Sequence, residues 1–357
     1  MKAKIGKREI NRENGVFIVF EIGATHYGLE SAKKLVKIAK KSGADAVKFQ
    51  MVNPDRLIAD KSIVLNYSYL EIDKYGNEKF ISNKETLYEI LKRRELSKDE
   101  WKELKKYCDE LDILMFSTAL YEDEVDFLVN ELKLESIKIC SSDVNLLDFI
   151  KYCAIKGINI QIDTGNSDIW EIEKAIICAE ENGCNNIIIH HCPSGYPARL
   201  ESINLNMIKT LKLMFPKYSI AFSDHTPGWD MDIAAITLGV DMVEKTITLD
   251  RTIKSCEHSF SLDTKNAIQF VKSIRNLEIA LGSTRRIIPQ KIKQERNLSR
   301  RSPYALRNLK VGSIIKREDF EFKRPGIGIT GHEFDFFIGK TLVKNIYKEE
   351  VLTYEYI

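Results

Sequence analysis

The sequence predicts an α/β protein with a closed (β/α)8 barrel, also called a TIM barrel, followed by a small β-rich domain. Eight short apolar runs recur along the chain, and a helical segment or a loop follows each one, which is typical of such a barrel. The runs are continuously apolar rather than alternating, as expected for parallel strands that are buried on both faces. They occupy residues 16–23, 46–50, 112–118, 136–142, 158–165, 186–192, 218–224 and 241–247.

The competing fold is a doubly wound open sheet. No GxGxxG motif follows the first run, which counts against a dinucleotide-binding form of that fold. The segments between the runs have the pattern of amphipathic helices. After the first run, Ala32, Leu35, Val36 and Ala39 recur at helical spacing opposite a lysine-rich face, and Gly43 ends the pattern.

The remaining segments set the predicted domain limits. A long polar insertion at 51–95 separates the second run from the third. The stretch "TKNAIQFVKSIRNLEIALGS" predicts the last barrel helix, and the chain after residue 300 has short β-prone pieces and glycine turns. We therefore predict a barrel domain at 1–285, a basic linker at 286–300 and a small β-rich domain at 301–357.

Composition excludes several classes of protein. The 357 residues are 44% hydrophobic and 30% charged, as in ordinary globular proteins, and the net charge of +2 does not indicate a nucleic-acid-binding surface. No signal-peptide pattern occurs, and no stretch approaches the roughly 18 apolar residues that a membrane span needs. Seven cysteines without a CxxC pair indicate reduced, mostly buried thiols. We expect a cytoplasmic protein without membrane or nucleic-acid partners.

Polar, chemically capable side chains stand at or just after the ends of the predicted strands. In a (β/α)8 barrel, catalytic groups lie at these carboxyl ends. A single Ser, Asp or His there could equally belong to a turn, but the pattern recurs around the barrel. The candidates are Glu21, Lys48, Gln50, Thr118, Lys138, Ser141, Asp143, Asp163, Ser194, Tyr196, Ser223, His225, Glu244, Lys245, Thr246 and Glu257.

Three lysines, Lys48, Lys138 and Lys245, lie inside apolar runs, where an unpaired ammonium would be costly. Each could form a buried ion pair, or all three could converge on one barrel mouth and bind a strongly anionic ligand. We expect the second arrangement, with serine and threonine hydroxyls completing a phosphate or carboxylate cradle. His225, with a carboxylate such as Glu257 or Asp163, suits a divalent metal with mixed nitrogen and oxygen ligands.

These motifs together resemble those of the sialic acid (N-acetylneuraminate) synthase family. The segment "FEIGATHYGLESAKKLVKIAKKSGADAVKFQ" is similar to that family's opening, and "IKICSSD", "DTGN", "HHCPSGYPA", "FSDHT" and "EKTITLDR" follow in its order and spacing. The pieces "RPGIGI" and "FIGKTL" resemble its antifreeze-like (SAF, β-clip) domain. The similarity extends from about residue 16 to residue 357.

The resemblance implies a condensation, dependent on Mn²⁺ or Mg²⁺, of phosphoenolpyruvate with an N-acylated hexosamine-type aldose. The products would be a nine-carbon 3-deoxy-2-ulosonic acid and phosphate. Glu21, Tyr196 and Glu257 would face the sugar, and His225 would bind the metal. Arg324 would reach the sugar's N-acyl group from the partner chain, because family members form domain-swapped homodimers. The residues expected to hold phosphoenolpyruvate are Lys48, Gln50, Thr118, Lys138, Ser141 and Ser223.

The sequence departs from the family pattern at Thr25, Asp163, Ser194 and Thr246. Thr246 replaces the family's second metal-binding histidine. Asp163 or Glu257 could supply the missing ligand, the metal could bind weakly through His225 and water, or its role could be lost. The charge of Asp163 near a phosphate needs a metal or a lysine to neutralise it, which favours the first alternative. His190 and His258 are further candidates.

The departures leave the substrate open. Asp143 and Ser194 are expected to contact it, and Tyr67, Tyr69 and Tyr75 of the insertion could line the sugar pocket. One alternative is a related synthase that uses a phosphorylated aldose, although the sequence has no obvious second phosphate cradle. Another is a catalytically silent sugar-binding homologue, which has little physical reason to keep buried lysines.

Overall fold

The computed structural model describes residues 3–357, apart from the Gln294 side chain, and divides into one unit through Leu281 and a second from Gly282 to Ile357. Eight parallel strands of the first unit close into a barrel in which each strand pairs with its neighbour in the chain and the last pairs with the first. The predicted barrel is confirmed. Its strands are β1 Phe17–Glu21, β2 Ala46–Gln50, β3 Leu114–Thr118, β4 Ser136–Ile139, β5 Asn159–Asp163, β6 Ile187–His191, β7 Ser219–Asp224 and β8 Met242–Thr246.

Helices cover the outside of the barrel. The helix Leu29–Ser42 buries Ala32, Leu35 and Val36 as predicted and ends at Gly43, whose φ of 87° is left-handed. The other helices of this unit are Pro54–Leu57, Leu87–Lys92, Lys98–Glu110, Glu122–Asp126, Leu147–Ala154, Ile169–Glu181, Leu200–Ile203, Met207–Met214, Asp230–Leu238 and Thr264–Leu281, with a 3₁₀ turn at Arg12–Asn14 and a π turn at Phe127–Glu131.

The amino end of the barrel is closed by apolar side chains. Ala3, Ile5 and Ile10 share one buried cluster with Phe17 and Met242, which are the first residues of β1 and β8. Since this end is filled, a substrate site has to open at the carboxyl ends of the strands.

Three antiparallel strand pairs of the described chain lie outside the barrel. They are Lys4–Ile5 with Arg8–Glu9, Val64–Ile72 with Glu78–Thr86, and Ser302–Ala305 with Phe320–Lys323. The second pair is a nine-residue-per-strand hairpin within the insertion 51–95. The sequence analysis identified that insertion but not its hairpin.

The second unit has its own small core, which includes Phe320, Phe334 and Phe337. The segment expected to be a linker at 286–300 contains the helix Gln290–Ser299. The other elements of the second unit are the strands Ser302–Ala305 and Phe320–Lys323, the helix Gly331–Phe337 and the 3₁₀ turns Arg317–Asp319 and Tyr354–Tyr356.

The seven cysteines are free thiols, as the sequence predicts. Among residues 3–357, no helix is both long enough and apolar enough to cross a membrane.

Candidate active site

Two buried lysines and one carboxylate form the centre of the site. Glu244 Oε1 on β8 accepts hydrogen bonds from Lys48 Nζ on β2, at 2.7 Å, and from Lys138 Nζ on β4, at 2.9 Å. These strands are not neighbours in the sheet, so their side chains meet inside the barrel. The three residues are at most 6% exposed. A single carboxylate therefore holds two ammonium groups together in a nearly dry interior.

Two further carboxylates flank this centre. Glu21 Oε2 lies 3.0 Å from Lys48 Nζ, and Asp163 Oδ2 lies 3.3 Å from Lys138 Nζ. Burial lowers the pKa of both lysines, but the surrounding carboxylates outweigh burial and raise each pKa above its ordinary value. Both lysines are therefore charged at neutral pH. The lysine that the sequence analysis required to neutralise Asp163 is Lys138.

Glu21 has the environment of a group that exchanges protons near neutral pH. Burial raises the pKa of Glu21 to about 7, although the charge of Lys48 opposes this shift. Its Oε1 accepts hydrogen bonds from the Ala24 amide at 3.0 Å and from Gln50 Nε2 at 2.9 Å. Its buried Oε2 has no hydrogen-bond donor with good geometry. That oxygen is available to accept a proton from a bound molecule.

Ser223, His190 and Gln161 form a chain of hydrogen bonds that orients the Lys138 side chain. Lys138 Nζ donates to Ser223 Oγ at 3.0 Å, and Ser223 Oγ lies 2.9 Å from His190 Nδ1. His190 Nε2 lies 2.8 Å from Gln161 Oε1, which can only accept, so Nδ1 accepts from Ser223. Burial, assisted by the charge of Lys138, lowers the pKa of His190 to about 3. His190 is neutral and both its nitrogens are bonded, so it is not available as a metal ligand.

Gly165 allows the loops after β4, β5 and β6 to approach one another closely. A Cβ atom at Gly165 would lie 2.6 Å from Cys192 O and 3.1 Å from Ser194 Oγ. It would also lie 3.4 Å from Ser141 Oγ. The predicted hydroxyl groups Ser141 and Ser194 therefore face the same small space, and Ser194 Oγ donates to Gly165 O at 2.7 Å.

His225 is oriented as a ligand-binding imidazole. Its Nδ1 lies 3.2 Å from Pro193 O, so this nitrogen carries the hydrogen and Nε2 keeps its lone pair. Tyr196, which is 54% exposed, packs its ring 4.7 Å from the imidazole. The described residues nevertheless contain no group of three or more His, Cys, Asp or Glu side chains that could hold a metal ion. His225 Nε2 fits a metal ion, but the described residues do not bring three such ligands together around it, and Asp163 is engaged by Lys138.

Lys245 does not join the other two lysines, contrary to expectation. It pairs with Asp224, lies 3.6 Å from Asp232 and donates to Thr226 O at 2.6 Å, with no exposed surface. Successive residues of a strand point to opposite faces, so Glu244 faces the barrel interior and Lys245 faces the surrounding helices. Lys245 forms the buried ion pair that was the alternative for each lysine.

The remaining predicted residues are placed as follows. Thr118 is buried at the end of β3, and Asp143 lies in the loop after β4, where burial raises its pKa. Glu257 lies in the loop after β8, and its Oε1 is 3.5 Å from Nη1 of Arg94 in the insertion. Arg324 is exposed in the second unit, and its reach into a partner's site stays a prediction.

The sequence analysis gave no role to Glu244 and did not identify Arg94. Glu244, noted only as a strand-end polar group, is the residue that joins Lys48 to Lys138. Its signal was the pair Glu244-Lys245, because one of two adjacent charges on a buried strand has to face inward. Arg94, in the insertion, gave no sequence signal for its contact with Glu257.

The fold is that of a (β/α)8-barrel enzyme, and the lysine–carboxylate cluster lies inside the barrel. Residues 35–286 match the NeuB family, and residues 300–357 match the SAF domain. An uncharacterized protein of Methanocaldococcus jannaschii is 36% identical over 99% of this chain and 97% of its own. The N,N'-diacetyllegionaminic acid synthase of Legionella pneumophila is 33% identical over 96% of this chain and 94% of its own.

A solved structure agrees with these sequence comparisons. The N-acetylneuraminic acid (sialic acid) synthetase of Leptospira borgpetersenii serovar Hardjo-bovis superposes with a TM-score of 0.69 at 26% identity, covering 82% of this chain and 94% of that one. The chain belongs to the NeuB family and carries a carboxyl-terminal SAF domain. It is an enzyme, a condensing transferase, which confirms that prediction.

Proposed function

We propose that the protein condenses phosphoenolpyruvate with an N-acylated hexosamine-type aldose to give a nine-carbon 3-deoxy-2-ulosonic acid and phosphate. The observation that carries the proposal is the pair of buried, charged lysines, Lys48 and Lys138, joined by Glu244. Phosphoenolpyruvate carries a phosphate and a carboxylate, so it needs more than one cation in a site that excludes water. The names of the relatives support a sialic-acid-like product.

When phosphoenolpyruvate binds, one of the three contacts of the Lys138 ammonium group would be replaced by a contact with the substrate. Its ammonium has three hydrogens, and Ser223, Glu244 and Asp163 lie around it at 3.0, 2.9 and 3.3 Å. The Asp163 contact is the longest of the three. An anionic group of phosphoenolpyruvate that replaces Asp163 gains a charge-assisted hydrogen bond while Lys138 stays anchored by Glu244 and Ser223.

The chemistry forms one bond and breaks another. The C3 atom of phosphoenolpyruvate attacks the aldehyde carbon, and the aldehyde oxygen takes up one proton. Water adds at the cationic C2 and loses a proton to Glu21 Oε2, a buried oxygen whose one neighbouring cation is Lys48 Nζ at 3.0 Å. This proton balances the one that the aldehyde oxygen took up. The C2–O bond to phosphate then breaks while the remaining C2 hydroxyl proton passes to the departing phosphate, which leaves a C2 ketone and inorganic phosphate.

A divalent metal ion, Mn²⁺ or Mg²⁺, is part of the proposal, and His225 Nε2 would hold it. Such an ion polarises a carbonyl oxygen as a Lewis acid. The proposal also includes a domain-swapped homodimer, in which Arg324 contacts the acceptor in the partner's barrel, and a cytoplasmic location. Thr118, Ser141 and Gln50 would complete the phosphoenolpyruvate site.

The test is consumption of phosphoenolpyruvate by the purified full-length protein with Mn²⁺ or Mg²⁺ and a panel of N-acylhexosamines. Release of inorganic phosphate that depends on the aldose is expected. In Lys138→Met, the KM for phosphoenolpyruvate should rise by at least about tenfold, since a hydrogen bond to a charged group is lost. Exposed Lys209→Met is the matched control and should be unchanged. No phosphate release with any aldose would overturn the proposal.

A further inference from the structure

A chain of buried polar side chains runs through the barrel interior, from its amino end to the lysine pair. Ser136, Asn159, Gln161 and His190 have no exposed surface, and they lie on the neighbouring strands β4, β5 and β6. Branched apolar residues usually occupy such interior positions. Polar groups are costly there unless they are hydrogen-bonded, and none of these four side chains has a buried polar atom without a partner. The chain is therefore a complete network.

The hydrogen bonds in the lower part of the chain can run in only one direction. The backbone carbonyl of Asn186 only accepts, so Asn159 donates its amide nitrogen to it, at 3.0 Å, and turns Oδ1 to Ser136. Ser136 Oγ donates its single hydrogen to that Oδ1 at 2.6 Å. Toward Gln161 this hydroxyl can therefore only accept, and Gln161 Nε2 donates to it at 2.8 Å. The other end of the Gln161 amide, Oε1, consequently faces His190.

The upper part of the chain continues in the same direction. Gln161 Oε1 only accepts, so His190 carries its hydrogen on Nε2, which is 2.8 Å away. Because burial lowers the pKa of His190 to about 3, the ring is neutral and its Nδ1 keeps a lone pair. Ser223 Oγ, 2.9 Å from Nδ1, donates its only hydrogen to that nitrogen. The same oxygen is then free to accept from Lys138 Nζ, at 3.0 Å.

The chain restricts the orientation of the Lys138 ammonium group. Glu244 Oε1 and Ser223 Oγ, at 2.9 and 3.0 Å, both act as acceptors and take two of its three hydrogens. The third hydrogen is left for Asp163, whose Oδ2 lies 3.3 Å away, or for a substrate that displaces it. Without His190 Nδ1, the Ser223 hydroxyl could rotate, and the ammonium group would lose an acceptor of fixed direction.

We propose that Gln161 and His190 are positioning residues for the binding of phosphoenolpyruvate. They fix the direction of the Ser223 hydroxyl, which holds the Lys138 ammonium group with one hydrogen directed at the anionic substrate. This inference rests on the proposed function. Ser223 then has no hydrogen to donate to phosphoenolpyruvate, and its part in the site is to hold Lys138. Such preorganisation strengthens binding because less rotational freedom is lost when the substrate arrives.

His190→Asn and His190→Leu form a matched pair of variants, since the two new side chains have similar shapes. Asparagine Oδ1 can replace Nδ1 as the acceptor for Ser223, leucine offers no acceptor, and both variants leave Gln161 Oε1 without its donor. In His190→Leu the KM for phosphoenolpyruvate should rise by about tenfold or more, with the KM for the aldose unchanged. His190→Asn should recover most of this loss. Exposed His332→Asn is the control for loss of a histidine and should have no effect.

Nitrogen NMR of the wild-type protein with isotope-labelled histidine tests the direction of the chain without turnover. The signals of His190 are identified by their loss in His190→Asn, or in His190→Gln if that variant does not fold. The expected tautomer has its hydrogen on Nε2 and none on Nδ1, with and without phosphoenolpyruvate. A hydrogen on Nδ1 would overturn the inference, because Ser223 would then accept from His190 rather than donate to it.

The outcomes separate this inference from the proposed function. If His190→Leu consumes phosphoenolpyruvate with the KM of the wild-type protein, the inference is wrong and the proposed function stands. An equal rise in both variants, or a rise for both substrates, would indicate a structural role only and would also overturn the inference. If the wild-type protein consumes no phosphoenolpyruvate with any aldose, the proposed function is wrong and the inference falls with it.

Discussion

Replacing Asp163 by serine discriminates between two roles for this carboxylate. In the structure it is the counter-ion of Lys138, at 3.3 Å, and the sequence analysis considered it as a substitute metal ligand. Its Coulomb energy with Lys138 is about 5 kcal/mol at an effective dielectric constant near 20, and desolvation offsets most of that. A hydrogen bond to a charged group retains about 1.5 kcal/mol or more. If phosphoenolpyruvate has to displace Asp163, Asp163→Ser should tighten its binding by about tenfold or more.

The assay is calorimetric titration of the EDTA-treated protein with phosphoenolpyruvate and, separately, with Mn²⁺. Asp148→Ser, on the exposed face of the helix Leu147–Ala154, is the control for loss of one negative charge and should leave both affinities unchanged. The counter-ion role is refuted if Asp163→Ser binds phosphoenolpyruvate no better than wild type. A loss of Mn²⁺ affinity in the same variant would instead identify Asp163 as a metal ligand.

Three further predictions follow from the same contacts. The kcat/KM of the wild-type enzyme should rise with pH through about 7, because Glu21 accepts a proton only when ionised; Glu21→Gln should abolish this limb and lower kcat by about a hundredfold or more, and a retained limb would assign it to another group. Lys245→Met should lower the free energy of unfolding by about 3–5 kcal/mol, because it leaves the buried Asp224 carboxylate without its cation. Urea unfolding at neutral pH checks this, and a loss below about 1 kcal/mol would contradict it. Arg324→Ala should raise the KM for the aldose and spare phosphoenolpyruvate binding; normal values for both would exclude the swapped-domain role.

The strands and the strand-end residues were predictable because they depend on local pattern. Continuous apolar runs mark strands buried on both faces, and all eight predicted runs contain barrel strands. Glu21, Lys48 and Lys138 were found because a charge at the end of such a run needs an explanation. The sequence analysis wrongly placed Lys245 in the barrel mouth, although the alternation of side chains along a strand predicts which face it occupies. Counting from Glu244 would have separated the two residues onto opposite faces.

The contacts of Arg94 with Cys256 and Glu257 were not predictable from local pattern. Arg94 and Cys256, which are in contact, are 162 positions apart in the chain. The insertion looked like a polar loop because its second hairpin strand, Glu78–Thr86, is mostly polar and has no buried residue. The closed barrel brings the loops after β2 and β8 together and makes these distant residues neighbours.

The charge balance of the lysine cluster explains why the Asp163 contact is important. With Glu21 protonated, the two ammonium groups of Lys48 and Lys138 face two carboxylates, Glu244 and Asp163, so the unliganded cluster has no net charge. Glu244 contacts both lysines and is nearly inaccessible, so it stays in place when a ligand arrives. Asp163 contacts one lysine and its Oδ1 has no partner, so it is the carboxylate that can give way. If Asp163 moves away from Lys138 when an anionic substrate binds, the positive charge of Lys138 becomes available to the substrate. When no substrate is bound, Asp163 pairs with Lys138, and the protein avoids the cost of an unpaired buried ammonium group.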